Sequence, residues 1–133
     1  MEICPCGSSK AIDKCCGMYH ENMNASTALL LMKSRYAAYV IGDVDYLVKT
    51  THPHQQYGLN KSDIRQWSAE NTWQGLQIIA TKNVSDINSQ VEFKASFLDK
   101  NNKPSVHHEL STFDKIEGVW YYSKGVINPI RLV

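Results

Sequence analysis

The 133 residues predict an α+β fold preceded by a short cysteine-rich module, and three observations carry that reading. All four cysteines lie between Cys4 and Cys16. Apolar residues then recur at helical spacing as far as residue 71, and beyond that point the period changes to the alternation of strands. Helices first and a meandering antiparallel sheet afterwards make an α+β domain. We place the boundary at residue 20, with the module at 1–20 and the domain at 21–133, and read 22–26 as the linker.

The module comes first. Its spacing is Cys4-x-Cys6, eight residues, then Cys15-Cys16, which supplies four soft ligands in two close pairs. Four thiolates suit one tetrahedral zinc ion and close its coordination sphere, so the site is structural. Lys10 and Lys14 are placed to offset the negative charge of such a centre, and Pro5 and Gly7 help the chain turn tightly. A disulfide, a redox thiol and an iron–sulfur cluster weigh less. Adjacent cysteines pair only with strain, Cys-x-x-Cys is absent, and the spacing differs from the ferredoxin patterns.

The first helix starts at Ser26 or Thr27 and ends at Gly42, with Leu29, Met32, Tyr36, Tyr39 and Val40 as one apolar stripe. A shorter helix follows over 43–51, facing inward through Val44, Leu47 and Val48, until Pro53 stops it. The third has the clearest start. Asn60 and Asp63 approximate a capping box, and Leu59 and Ile64 sit at the staple positions.

Strands follow over 73–81 and around Val91, Phe93, Ala95 and Phe97, which alternate with Glu92, Lys94 and Ser96. The turn cluster 99–104 predicts a hairpin returning over 105–115. Glu117-Gly118 marks another turn, and the last strand, 119–123, puts Trp120 and Tyr122 on one face.

Composition narrows the functional classes. Fourteen basic against thirteen acidic residues lack the basic excess that supports phosphate binding, so there is no strong nucleic-acid signal. The longest apolar run, 28–32, is far short of a membrane span. No apolar leader follows the start, so the cytoplasm is the expected compartment, and thiols stay reduced there.

Cys4-Pro-Cys-Gly-Ser-Ser-Lys10 followed by Cys15-Cys-Gly17 resembles the SEC-C zinc motif, also present at the C-terminus of the SecA translocation ATPase. That resemblance implies a zinc-stabilised recognition knob, a protein partner, and contacts of the kind SecA makes with its chaperone SecB and with the ribosome. Met32-Lys-Ser-Arg-Tyr36, Asp43-Val-Asp-Tyr-Leu47, Thr51-His-Pro53 and Trp73-Gln-Gly-Leu76 resemble the YchJ-like bacterial family, as do Glu109-x-Ser-x-Phe113 and Trp120-Tyr-Tyr122. This second resemblance implies an NTF2-like cone, about three helices on a curved antiparallel sheet around a hollow. It also implies a possible homodimer through the sheets. Many members carry a second SEC-C motif at the C-terminus, whereas this chain reads Asn128-Pro-Ile-Arg-Leu-Val133 there.

Polar residues able to face the hollow are few. His52, Glu109 and Tyr36 are the candidates, with His52 and Glu109 as an acid–base pair. Loop histidines such as His52 and His54 more often bond nearby backbone. His107 and Glu109 share one strand face and His108 takes the other. Arg35 and Asp45 offer an ion pair near the mouth of the cone, with a structural salt bridge joining two helices as the favoured reading. Tyr36, Tyr39, Trp67, Trp73 and Trp120 serve as core or as cavity lining. No Ser-His-Asp order, phosphate loop or two-metal carboxylate set is present. The sequence therefore favours a non-enzymatic binding or adaptor protein acting through the zinc module, with a small-molecule binder or enzyme using the hollow as the alternative.

Overall fold

Each of the two longer helices begins at a side chain marked in the sequence as a cap. Thr27 accepts from the Leu30 N–H and opens α2 (Ala28–Ile41), which Gly42 terminates in the left-handed region. Asn60 accepts from the Asp63 N–H and opens α4 (Lys61–Glu70). Between them Asp43 caps α3 (Val44–Lys49), and a 3₁₀ turn follows over Pro53–Gly58. The computed structural model, which describes residues 2–129, adds α1 (Cys16–Asn22). The boundary at residue 20 thus falls inside a helix, and Tyr19 of that helix packs against the main core.

Four strands, β1 (Thr72–Ser85), β2 (Asn88–Leu98), β3 (Pro104–Ile116) and β4 (Val119–Ile127), pair in chain order and all antiparallel. Turn chemistry sets the connections. Asp99 accepts from the Asn101 and Lys103 N–H groups, and Glu117 and Gly118 both adopt positive φ, as a tight hairpin turn requires. The register slips three times along β1 and once in β4. Such bulges increase twist and bend the strands, which lets one face of the sheet wrap around α2.

That helix sits at the centre, touching α1, α3 and α4 as well as β1, β2 and β4. One apolar stripe was expected on it; instead, residues Leu31, Met32 and 34–38 are all buried. The reason is its position between two layers. Leu31, Met32 and Tyr36 join Tyr46, Leu47, Val91, Phe93 and Phe113 in the main core, while Ala37 packs against Cys4, Cys6 and Cys16. Fully burying a side chain such as Leu31 or Phe113 contributes about 1.5–3 kcal/mol. Small Ser34, Ala37 and Ala38 allow close approach on the remaining sides.

The helical layer is also tied to the last strand. Thr51 bridges Tyr122 in parallel, the Tyr122 N–H donates to Thr50 O at 2.7 Å, and the His52 N–H donates to Tyr122 O at 2.8 Å. Residues 130–133, at the end without a second cysteine motif, lie outside the described residues.

Candidate metal centre and internal cavity

Local backbone geometry assembles the first polar cluster. Ile3 and Ala11 form an antiparallel bridge, the Cys4 N–H donates to Lys10 O at 2.8 Å, and the Ile12 N–H donates to Glu2 O at 3.0 Å. These bonds close a small hairpin around Cys4 and Cys6, and Gly7 supplies the positive φ of 93° that its turn demands. A 3₁₀ turn, Ile12–Lys14, then delivers Cys15 and the first residue of α1, Cys16. A Cβ at Gly17 would lie 2.7 Å from the Ile12 carbonyl oxygen, which explains the glycine after the cysteine pair.

All four cysteines are free thiols, and their Sγ atoms lie within 4.8 Å of one another. Sulfurs arranged tetrahedrally around zinc at about 2.3 Å stand about 3.8 Å apart, so the donor set fits a thiophilic ion. Cys6 and Cys15 approach to 3.5 Å. Burial, reinforced by the neighbouring sulfurs, pushes the Cys16 thiol far up. Burial opposes ionisation of Cys6 too, but hydrogen bonds from Ser8, Cys4 and Cys15 prevail and bring it down to about 7. Without a cation the set cannot ionise together. Lys10 and Lys14 border the cluster as expected, and Lys33, brought by α2, joins them.

The second cluster is drawn from distant parts of the chain and surrounds a cavity of about 140 Å³. At about 30 Å³ per water, this is room for four or five waters or one small ligand. Glu109 is 8% exposed and accepts three hydrogen bonds. His107 Nε2 meets Oε1 at 2.8 Å, while Ser111 and Tyr122 donate to Oε2 at 2.5 and 3.1 Å. Burial alone would raise the carboxyl, but these partners, His107 foremost, hold it below its ordinary value. Burial and the neighbouring carboxylate push the Tyr122 phenol upward in turn. A Cβ at Gly125 would collide with the Glu109 carboxylate and the Tyr122 hydroxyl, so this glycine leaves space for the cluster.

Arg35 lines the same cavity at 9% exposure. Its Nη1 donates to Leu47 O at 2.9 Å and to Thr50 Oγ1 at 2.7 Å, and the guanidinium lies 4.6 Å from the centre of the Tyr122 ring. Tyr36 lines the cavity too, and burial raises its phenol. An aromatic wall completes the enclosure. Trp67 and Trp73 stand 5.0 Å apart edge to face, Tyr39 meets Trp67 at 5.6 Å, and Ser68 anchors α4 by donating to Tyr39 O.

Tyr36 and Glu109 are therefore brought to one cavity, and His52 is not. The His52 ring stacks on His54, and its Nδ1 accepts the His54 N–H, so its partner is the local loop and its expected pairing with Glu109 is replaced by His107. His108 points to the opposite face and meets Glu92 at 2.6 Å. The expected Arg35–Asp45 ion pair is corrected as well. Asp45 sits on the exposed side of α3 and pairs with Lys61 at 3.0 Å, whereas Arg35 reaches beneath the helix to Leu47 O and the Thr50 hydroxyl at its end. Ser111 and Tyr122 are cavity residues that sequence reasoning did not select, nor did it select Gly125, which leaves space for their cluster. The alternation His107, Glu109, Ser111, Phe113 on β3 was the available signal.

Comparison with known proteins covers both clusters. Residues 27–125 match the family model described as YchJ, middle NTF2-like domain. The chain is 42% identical over 122 residues to a UPF0225 protein of Actinobacillus succinogenes, covering 90% of this chain and 79% of that one. A SEC-C motif containing protein from Rhodopseudomonas palustris, solved in solution, superposes with a TM-score of 0.85 at 36% identity, covering 94% of this chain and 98% of the other. The crystal structure of a SEC-C motif containing protein from Psychrobacter arcticus gives 0.85 at 33% identity, over 99% and 86%.

Proposed function

The chain belongs to the YchJ family, and from that premise we propose that it is a zinc-stapled protein that binds a small molecule in its internal cavity. The observation that carries this reading is a buried arginine and a buried carboxylate lining one cavity, each held by its own set of protein hydrogen bonds. Buried charges are costly, and a purely structural core of this size has no need of them. Residues 1–20 form the zinc module and 21–133 the binding domain. Four thiolates leave no open coordination position, so the ion would fasten the N-terminal hairpin to α2 and take no part in binding. The cytoplasm is the proposed compartment because free thiols persist there; no described helix is long and apolar enough to cross a membrane.

Ala95 lines the cavity and is 1% exposed, so Ala95→Leu fills it from the sheet side. Small aromatic probes are expected to shift the indole signals of Trp67 and Trp73 in the zinc-loaded protein, and Ala95→Leu should abolish those shifts. Equal shifts in both proteins, or none in either, would reject the cavity as a binding site. Metal analysis of purified protein should return one zinc per chain.

A second reading has its own observation. Ile3 and Met18 are 62% and 44% exposed, and Met18 lies on one surface with Lys10 and Lys14, so the module presents apolar side chains and basic ones to solvent. The SEC-C resemblance makes SecA, SecB or the ribosome the partners to try. The double change Ile3→Glu/Met18→Glu keeps every thiolate and should abolish capture of such a partner. Unchanged capture with zinc retained would remove the module surface as the contact.

A further inference from the structure

Resting on the cavity reading above, we propose that the ligand is a small apolar monocarboxylate, about the size of benzoate, bound head-first to Arg35 and Tyr36. Hydrogen bonds from Arg35 to the protein all leave from Nη1: to Leu47 O, to Thr50 Oγ1 and, at 3.5 Å, to Thr51 Oγ1. Among the described residues, Nε and Nη2 have no protein acceptor, and neither is sealed off, so a group entering the cavity can reach them. A guanidinium does not lose its proton in a protein, so these donors call for an acceptor that enters the cavity. Its planar fork matches the two oxygens of a carboxylate.

Glu109 does not serve as that acceptor. No ion pair within 4.0 Å joins it to Arg35 among the described residues, and Tyr122 stands between them, its ring under the guanidinium and its hydroxyl on the carboxylate. The cavity's own anion is already occupied by His107, Ser111 and Tyr122. Arg35 is left without a carboxylate in hydrogen-bond contact among the described residues. Tyr36 lines the same cavity and brings its hydroxyl to it as a second donor.

The charge and the walls limit the rest of the ligand. One guanidinium balances one negative charge, which disfavours a dianion, and it repels a cation. Trp67, Trp73 and Phe93 require an apolar body. A cavity of about 150 Å³ accepts benzene, and this one, at about 140 Å³, is partly open and has Trp67, 38% exposed, on its lining. A carboxylated ring of that size therefore has a seat for its body and an entrance.

Three probes with the same ring decide the matter: benzoate, benzyl alcohol and benzylamine, titrated into the zinc-loaded full chain and read at the Trp67 and Trp73 indole signals. Benzoate is expected to bind at least tenfold more tightly than benzyl alcohol, and benzylamine not at all. Tyr36→Phe should weaken benzoate several-fold and leave the alcohol unchanged, and Arg35→Lys should shrink the preference for benzoate. Should Arg35→Lys fail to fold, the three wild-type affinities and the Tyr36→Phe pair still decide. Binding of the alcohol or the amine as tight as that of benzoate would overturn the carboxylate while leaving the cavity reading in place. Silence from all three probes would overturn both.

Discussion

The cysteine cluster and the Glu109 cluster are both buried polar groups, yet they meet the cost of burial in opposite ways. Four like sulfurs within 4.8 Å repel one another when ionised and need a cation from outside. Glu109 is already matched by three donors from the chain itself, and burial strengthens those bonds. One site is completed by what it binds and the other is complete before it binds anything. The first should therefore answer to a chelator and the second to pH.

The largest effect expected is loss of the ion. Zinc on four thiolates contributes roughly 10–16 kcal/mol of apparent binding free energy in small zinc peptides near neutral pH. A strong chelator, or Cys16→Ser, should therefore release the hairpin while the NTF2-like body stays folded on its own core. Hydrogen exchange would show protection lost over residues 2–22 and kept in β2 and β3. Loss of protection in both regions together would show that the two sites are one cooperative unit.

Glu109→Ala comes next, because it leaves His107, Ser111 and Tyr122 facing an empty acceptor position. A cost of about 3 kcal/mol is expected from denaturant unfolding, with metal content unchanged. The pH dependence follows from the sign of the shift. Because the native carboxyl is held below its ordinary value, its contribution is fully present above the unfolded value of about 4.3 and is lost as pH falls through the native one. Glu109→Gln should flatten the acid limb of a stability–pH curve below about pH 4.3, and an unaltered limb would assign that limb to other carboxylates.

Gly125→Ala should cost about 1–3 kcal/mol, since the new methyl group displaces the Glu109 carboxylate, and it should leave zinc content intact. The smallest effect is reserved for the surface. Lys61→Ala breaks the exposed bond to Asp45 and should give no resolvable change in melting temperature, which sets the baseline for the other variants.

How legible each cluster was depends on how far apart its members lie in the chain. Cys4 to Cys16 spans thirteen positions, so spacing alone exposed the ligand set. The caps Thr27 and Asn60 are equally local, and so the helices they open were legible with them, whereas Asp43 was read as helix and turned out to be the cap of α3. α1 was missed because its first residues read as metal ligands and a glycine, and β1 ran past its predicted end because residues 82–85 are mostly polar. The cavity gathers Arg35 from a helix, His107 and Glu109 from β3 and Tyr122 from β4. No local pattern joins those positions; only the register of β3 with β4 and the packing of α2 do so. Arg35 was therefore assigned to a carboxylate of the following helix, Asp45, when its partners were backbone and hydroxyl oxygens at the end of that helix.

The parallel bridge between Thr51 and Tyr122 has a consequence for the order of folding. It joins the middle of the chain to its final strand, so it closes a long loop, and that entropic cost must be met before the contact returns any stability. The helices and the hairpins of the meander can form from neighbouring segments, and the bridge is expected to lock late. Substitutions at Thr51 should then act chiefly on the unfolding rate and leave refolding nearly unchanged. On that view the cavity has no walls on the β4 side until the last step of folding, and a ligand would meet it only in the finished molecule.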